Sequence, residues 1–364
     1  MTSGRVVLAQ QAEQVAYARI GRQGGSDPLI LPSVQDGYVR QRCATGGFVD
    51  HGGPMTPVAR SNVTPLPWRG AWRPSLGGEL PSGALRRPDA IGVRMGVVDI
   101  RRRNNVVVTG NPEGPVVVLA HGFGCDQNLW RLVVPKLAGD HRVVLFDHVG
   151  SGGSDLSAWS PERYSTLRGY AEDVVELCRE LDLRDVVFVG HSVAAMMGVL
   201  AAADAPELFA KLVLLVPSPR YLDDGDYRGG FTAADIDELL ESLDSNYLGW
   251  SAALAPVIMG NPDRPELAEE LRESFCRTDP DIARAFARAT FLADNRADLA
   301  RVTVPTLVVE CAHDAIAPRG VGAFVQAQIP GSTLVTLDAV GHCPQLSAPD
   351  RTAAAIAAFT GARP

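Results

Sequence analysis

The sequence predicts an α/β fold, a mostly parallel sheet with helices on both faces and a helical lid inserted into it. Three observations carry that reading. Short apolar runs rich in β-branched residues recur at 106–109, 116–120, 143–147, 186–190, 212–216, 306–311 and 333–337. Segments of helical periodicity lie between most of them, as at 164–181 and 193–203. Strands that are hydrophobic throughout, alternating with helices, are the pattern of a parallel sheet buried on both faces. The third observation is a stretch of 85 residues, 217–301, in which the alternation stops. It reads as helices over 232–244, 265–276 and 280–291 with no convincing strand. The simplest place for it is a lid between two strands, so the sheet is built from residues 95–216 and 302–364.

Residues 1–94 are unlike the rest. They hold 11 Arg against 6 acidic residues in a chain of net charge −8, with 14 Gly and 9 Pro. Their apolar residues follow neither a helical nor a strand period, and such composition cannot bury enough surface to fold. The expectation is a disordered leader, or an upstream stretch ahead of a true start at Met95; a regulatory or partner-binding arm is the other reading. No apolar run approaches the ~20 residues of a spanning helix, and the N-terminus lacks the apolar core of a secretory signal. The six cysteines are scattered, with no CxxC pair and no metal-ligand spacing. Together these point to a cytoplasmic protein with free thiols and no metal or other cofactor. The acidic balance argues against nucleic acid as a partner.

The strongest local signal is the run Val186 to Ala195, in which Gly190-His191-Ser192-Val193-Ala194 joins a strand to a helix of small residues. That is the context in which a G-x-S-x-G elbow lifts a serine above a sheet. The fifth position departs from the motif, with Ala194 in place of glycine, and one added methyl there could strain the elbow. Partners follow in the order Ser, Asp, His. Asp314 stands after the run 306–311, and His342 stands in the loop after 333–337. A serine hydroxyl is a weak nucleophile unless His342 accepts its proton and Asp314 fixes the imidazole tautomer. Asp147 is a less favoured third carboxylate, and His313 reads as structural. Directly after the run 116–120, His121-Gly122-Phe123-Gly124 supplies a turn whose Phe123 N–H, with that of Val193, forms an oxyanion hole. Neither G-x-G-x-x-G nor a G-K-[ST] ending occurs here, which excludes a phosphate-cradling loop. Cys125 and Cys343 flank the site in sequence and read as small hydrophobes rather than redox groups. An aspartate at 192 would be needed for haloalkane dehalogenation, and none is present.

These motifs together resemble the α/β-hydrolase superfamily. More narrowly, residues 95–360 are similar to the RsbQ-like regulators of the bacterial sigma-B energy-stress pathway, relatives of the plant karrikin and strigolactone receptors. The resemblance rests on His121-Gly122-Phe123-Gly124-Cys125-Asp126-Gln127, Phe146-Asp147-His148-Val149-Gly150-Ser151-Gly152, Gly190-His191-Ser192-Val193 and Gly341-His342-Cys343-Pro344. Its specific part is Pro217-Ser218-Pro219-Arg220-Tyr221-Leu222 and Tyr227-Arg228-Gly229-Gly230-Phe231 at the lid boundary. It implies a four-helix lid over a hydrophobic pocket, with Phe123, Trp250 and Phe291 against a small hydrophobic ligand. It implies serine esterase or lactonase chemistry, and a signalling setting with a PAS-domain phosphatase as partner. A ligand sensor with slow or incidental hydrolysis is the competing function.

Overall fold

The computed structural model describes residues 99–361; the leader expected over residues 1–94 lies outside them. Seven strands form one sheet among the described residues: β1 (Val107–Gly110), β2 (Val116–Ala120), β3 (Arg142–Leu145), β4 (Val186–His191), β5 (Phe209–Leu215), β6 (Thr306–His313) and β7 (Thr333–Val340). Their spatial order is β1-β3-β2-β4-β5-β6-β7. Only β1 runs antiparallel to its neighbour; the remaining pairs are parallel. All six residues of β4 are buried, as the central strand of a sheet covered on both faces must be.

Alternate residues of each strand feed two separate cores. Val118, Val144, Phe188, Leu212 and Val308 face one side, where α1 (Leu167–Glu180) and α2 (Val193–Asp204) pack. Val117, Val143, Val187, Val213 and Leu307 face the other, against Trp130 and Leu137 and the last helix, Pro349–Thr360. In α2, Val193 to Ala202 are all buried, which is why its sequence carries alanines and methionines in place of an amphipathic stripe.

Four lid helices separate β5 from β6: α3 (Ala233–Ser245), α4 (Tyr247–Met259), α5 (Pro265–Arg277) and α6 (Pro280–Phe291). The first starts at a reciprocal capping box between Thr232 and Asp235. The last starts at Asp279, whose carboxylate accepts from the N–H groups of Asp281 and Ile282. Reading the residues alone gives three of the four and misses α4. That helix is apolar on every side and holds Gly249 and Pro256, so it shows no helical period. Ahead of α3, single β-bridges join Leu222 to Phe231 and Asp224 to Tyr227, in a stretch read as free of strands. Strands β6 and β7 run on to His313 and Val340, past the expected ends, while β3 stops at Leu145.

The chain steps from β2 outward to β3, then returns across β2 to β4 and continues to β7. The carboxyl ends of β2 and β4 therefore flank the point where the winding reverses, where open α/β sheets bind ligands. No helix among the described residues is long and apolar enough to cross a membrane.

Candidate active site

Ser192 follows β4 with φ 57° and ψ −123°, a conformation that costs about 1–3 kcal/mol and persists only when its surroundings enforce it. Its N–H donates to the carbonyl of Leu215 at 2.8 Å, which ties the elbow to β5. The close approach of strand and helix falls at Gly190, where a Cβ would collide with the carbonyl of Ala194. Ala194 itself is accommodated, fully buried, in the first turn of α2.

The Oγ of Ser192 lies 2.7 Å from Nε2 of His342. Nδ1 of His342 lies 2.7 Å from Oδ2 of Asp314. Oδ1 of Asp314 accepts from the N–H groups of Ile316 (2.8 Å) and Ala317 (3.1 Å). All three side chains are buried. With a proton on Nδ1 donated to Asp314, Nε2 is free to accept from the serine hydroxyl. The backbone of His342 is held as firmly. Its N–H donates to the carbonyl of Ile258 in α4 at 2.8 Å, and its carbonyl accepts from Nε2 of His191 at 2.7 Å.

The turn after β2 passes directly over the elbow, since a Cβ on Gly122 would stand 3.2 Å from Cβ of Ser192. The N–H groups of Phe123 and Val193 have no acceptor among the described residues, so both are available to a developing oxyanion. Behind this turn, Nδ1 of His121 donates to the carbonyl of Gly122 at 2.9 Å. Nε2 of His121 accepts from the N–H of His148 at 3.1 Å, and Nε2 of His148 donates to the carbonyl of His121 at 2.9 Å. Burial pushes His121 and His148 below their ordinary pKa. Burial, aided by the neighbouring His342, takes His191 down to about 3. All three stay neutral and act as hydrogen-bonding struts.

Asp147 stands away from His342. Its carboxylate accepts from Gln127 N–H (2.8 Å), Gly153 N–H (2.8 Å) and Asn105 Nδ2 (2.7 Å), and so braces the loop after β3. His313 is exposed at the end of β6.

Beside Ser192 lies a narrow apolar cavity of about 40 Å³. Phe123 and Phe291 line it, and Trp250 does not. Trp250, Leu254 and Ile258 share one stripe of α4 at a spacing of four, and only the last two reach the cavity. Trp250 lies one turn further out, edge-on to Phe123 at 6.0 Å and stacked on Tyr247. Sequence reasoning missed Leu254, Ile258 and Phe275; the spacing of four from Trp250 was the signal available for the first two. Tyr221 also lines the cavity, its phenol 3.4 Å from Ser192 Oγ. Burial raises the thiols of Cys125 and Cys343, which therefore line the cavity as neutral apolar groups. A hydroxyl, imidazole and carboxylate so linked, with two free N–H groups beside them, can run acyl transfer on a small apolar carbonyl compound.

Residues 117–355 match the model of the alpha/beta hydrolase family. The chain belongs to that family. A hydrolase from Oleispira antarctica superposes with a TM-score of 0.71 at 41% identity, covering 73% of this chain and 97% of that one. Among this chain's relatives is a probable esterase of Oryza sativa subsp. japonica, 41% identical over 257 residues and covering 70% of this chain and 94% of that protein. Karrikin insensitive 2 receptor CA of Petunia hybrida is 40% identical over the same length, with the same coverage.

Proposed function

We propose that the protein is a serine hydrolase of small, largely apolar carboxylic esters or lactones. The observation that carries this reading is the unbroken line Ser192–His342–Asp314, 2.7 Å at each step, at the wall of an apolar cavity. In this mechanism Nε2 of His342 takes the proton of Ser192 as Oγ attacks the carbonyl carbon. The N–H groups of Phe123 and Val193 hold the oxyanion. His342 then gives its proton to the departing alcohol, and leaves an acyl group on Ser192. Water then takes the place of the alcohol, gives a proton to Nε2 of His342 as it attacks the acyl carbon, and the acid leaves as that proton returns to Oγ of Ser192. Asp314 keeps the proton on Nδ1 and stabilises the imidazolium between the two transfers. The cavity is far smaller than the ~300 Å³ at the low end of ligand pockets, which favours compact substrates.

A second reading is favoured by the petunia relative, which is named a receptor. Here the same site binds a small apolar ligand, hydrolyses it slowly, and reports occupancy to a protein partner. A PAS-domain phosphatase in a stress pathway is the partner that the sequence resemblance suggests. Turnover separates the two: repeated cycles on an excess of ester support the enzyme, a single acylation followed by arrest supports the sensor.

The test of the shared chemistry is labelling and substitution at Ser192. A fluorophosphonate probe should modify Ser192, and Ser192→Ala should remove hydrolysis of p-nitrophenyl acetate, a loss on the order of 10⁴-fold or more. Wild-type turnover in Ser192→Ala, or a label on another residue, would overturn the assignment.

A further inference from the structure

The loop that carries His342 is gripped by the lid at several points. The N–H of His342 donates to the carbonyl of Ile258, in the last turn of α4. Two side chains from the turn between α4 and α5 extend the grip. Nδ2 of Asn261 donates to the carbonyl of Val340 at 2.9 Å, two residues before His342. Nη1 of Arg264 donates to the carbonyl of Ser347 at 3.0 Å, five residues after it. Nη2 of Arg264 donates to Oδ1 of Asn261 at 2.6 Å, so the two side chains act as one clamp across the loop. The backbones are in contact as well. Gly341 has φ +89°, and a Cβ there would collide with the carbonyl of Met259.

Neither Asn261 nor Arg264 lines the cavity; both line a separate open groove. They are half-buried and make no contribution to a hydrophobic core. Apart from each other and the carbonyl of Met259 in α4, their side-chain partners are the backbone carbonyls on either side of His342, which no substrate contact explains.

The small volume of the cavity gives this arrangement its meaning. A volume of about 40 Å³ holds roughly two to four water molecules, so an ester fits only when the lid helices that wall the cavity shift outward. Yet α4 supplies both a wall of the cavity, through Leu254 and Ile258, and the carbonyl that receives the His342 N–H. Moving α4 therefore moves the loop. We infer that Asn261 and Arg264 are positioning residues that fasten the His342 loop to the lid, so that His342 meets Ser192 and Asp314 only when the lid is closed. Opening then disarms the serine and closure over substrate rearms it, which confines the activated nucleophile to an occupied, water-poor site. This rests on His342 being the base proposed above.

The experiment combines steady-state kinetics on p-nitrophenyl acetate with amide hydrogen exchange, read by mass spectrometry, on full-length protein. The variants are Asn261→Ala/Arg264→Ala, Asn261→Asp, and Arg264→Lys. Asn261→Asp keeps the size of the side chain and its pairing with Arg264 but removes the donor to Val340 and to Met259, so it remains informative should the double variant fold poorly. A misplacement of about 1 Å at a reacting group costs on the order of 10²-fold. The double variant and Asn261→Asp should lower kcat by about tenfold or more with KM little changed. Peptides spanning 340–347 should exchange faster in both, while melting temperatures stay within a few degrees of wild type. Arg264→Lys keeps a donor for Ser347 and should recover most of the rate. Unchanged exchange in the loop overturns the inference whatever the kinetics. Faster exchange with unchanged kcat overturns it too, because a loosened loop would then be irrelevant to the base. Failure of the hydrolase assignment shows separately, as a rate that Ser192→Ala does not lower.

Discussion

Oδ2 of Asp314 faces Nδ1 of His342 at 2.7 Å while Oδ1 is already committed to two backbone N–H groups, those of Ile316 and Ala317. The carboxylate is thus fixed by its own loop and has one orientation to offer. In Asp314→Asn the amide must turn its oxygen to the two backbone donors and its NH2 to the imidazole. Nδ1 would then be forced to accept, leaving the proton on Nε2, where Ser192 needs a base. Asp314→Asn should keep its melting temperature within a few degrees and lose about 10⁴-fold in kcat on an activated ester. Near-normal rates in this variant, with loss in Asp147→Asn, would move the third member to another strand.

Gly190 and Ala194 should respond oppositely to exchange. A methyl at Gly190 meets the backbone carbonyl of Ala194, which cannot step aside without distorting the elbow. Gly190→Ala should destabilise by about 1–3 kcal/mol, the usual range for overpacking, and lose most of its activity. Ala194→Gly restores the residue more usual in the motif but only loosens a helix turn, at roughly 0.5–1 kcal/mol. Thermal melts and esterase rates on both variants check this; equal tolerance at the two positions contradicts the packing described.

Acid should destabilise the fold before carboxylates titrate. His121, His148 and His191 are held neutral by burial, the last with a pKa near 3. In the unfolded chain each takes up a proton below about pH 6.5. The unfolded state therefore binds more protons in the window between about 6.5 and the folded value. Stability is complete above that window and declines as pH falls through it, by up to about 1.4 kcal/mol per pH unit for each histidine. Urea melts between pH 7 and pH 5 should show this decline, and His191→Gln should flatten it by about one proton. A flat profile would mean that these imidazoles reach water.

Substrate size should follow α4. Leu254→Ala widens the cavity and should raise kcat/KM on p-nitrophenyl butyrate relative to the acetate. Trp250→Phe, one turn beyond the wall, should leave that ratio as it is. The opposite pattern would place Trp250 in the pocket after all.

Much of this site is legible in sequence because it hangs on strand ends. Runs such as Val116–Ala120 and Val186–Val189 are apolar throughout, and a residue just past the end of such a strand is at the sheet's carboxyl edge by construction. Ser192, Asp314 and His342 are all of that kind, as is Phe123. The lid follows no such rule. Its α4 lies among other helices, carries apolar side chains on all faces and so has no period to detect. Which of its residues meet the cavity depends on how far along the axis each turn falls, and that separated Leu254 from Trp250. The anchoring of His342 to Ile258 is a backbone contact, invisible to any reading of side-chain types.

The lid leaves the sheet after β5 and rejoins it at β6, two strands that lie side by side. Such an insertion looks exchangeable, since trading residues 217–301 for another lid would leave every strand in place. It is not a free module. A transplanted lid would bring its own turn in place of Asn261 and Arg264 and its own carbonyl in place of Ile258, and the histidine loop would have to fit both. On the clamp inferred above, a recombined lid keeps the rate only where the turn after α4 travels together with the loop after β7, two pieces from separate stretches of the chain.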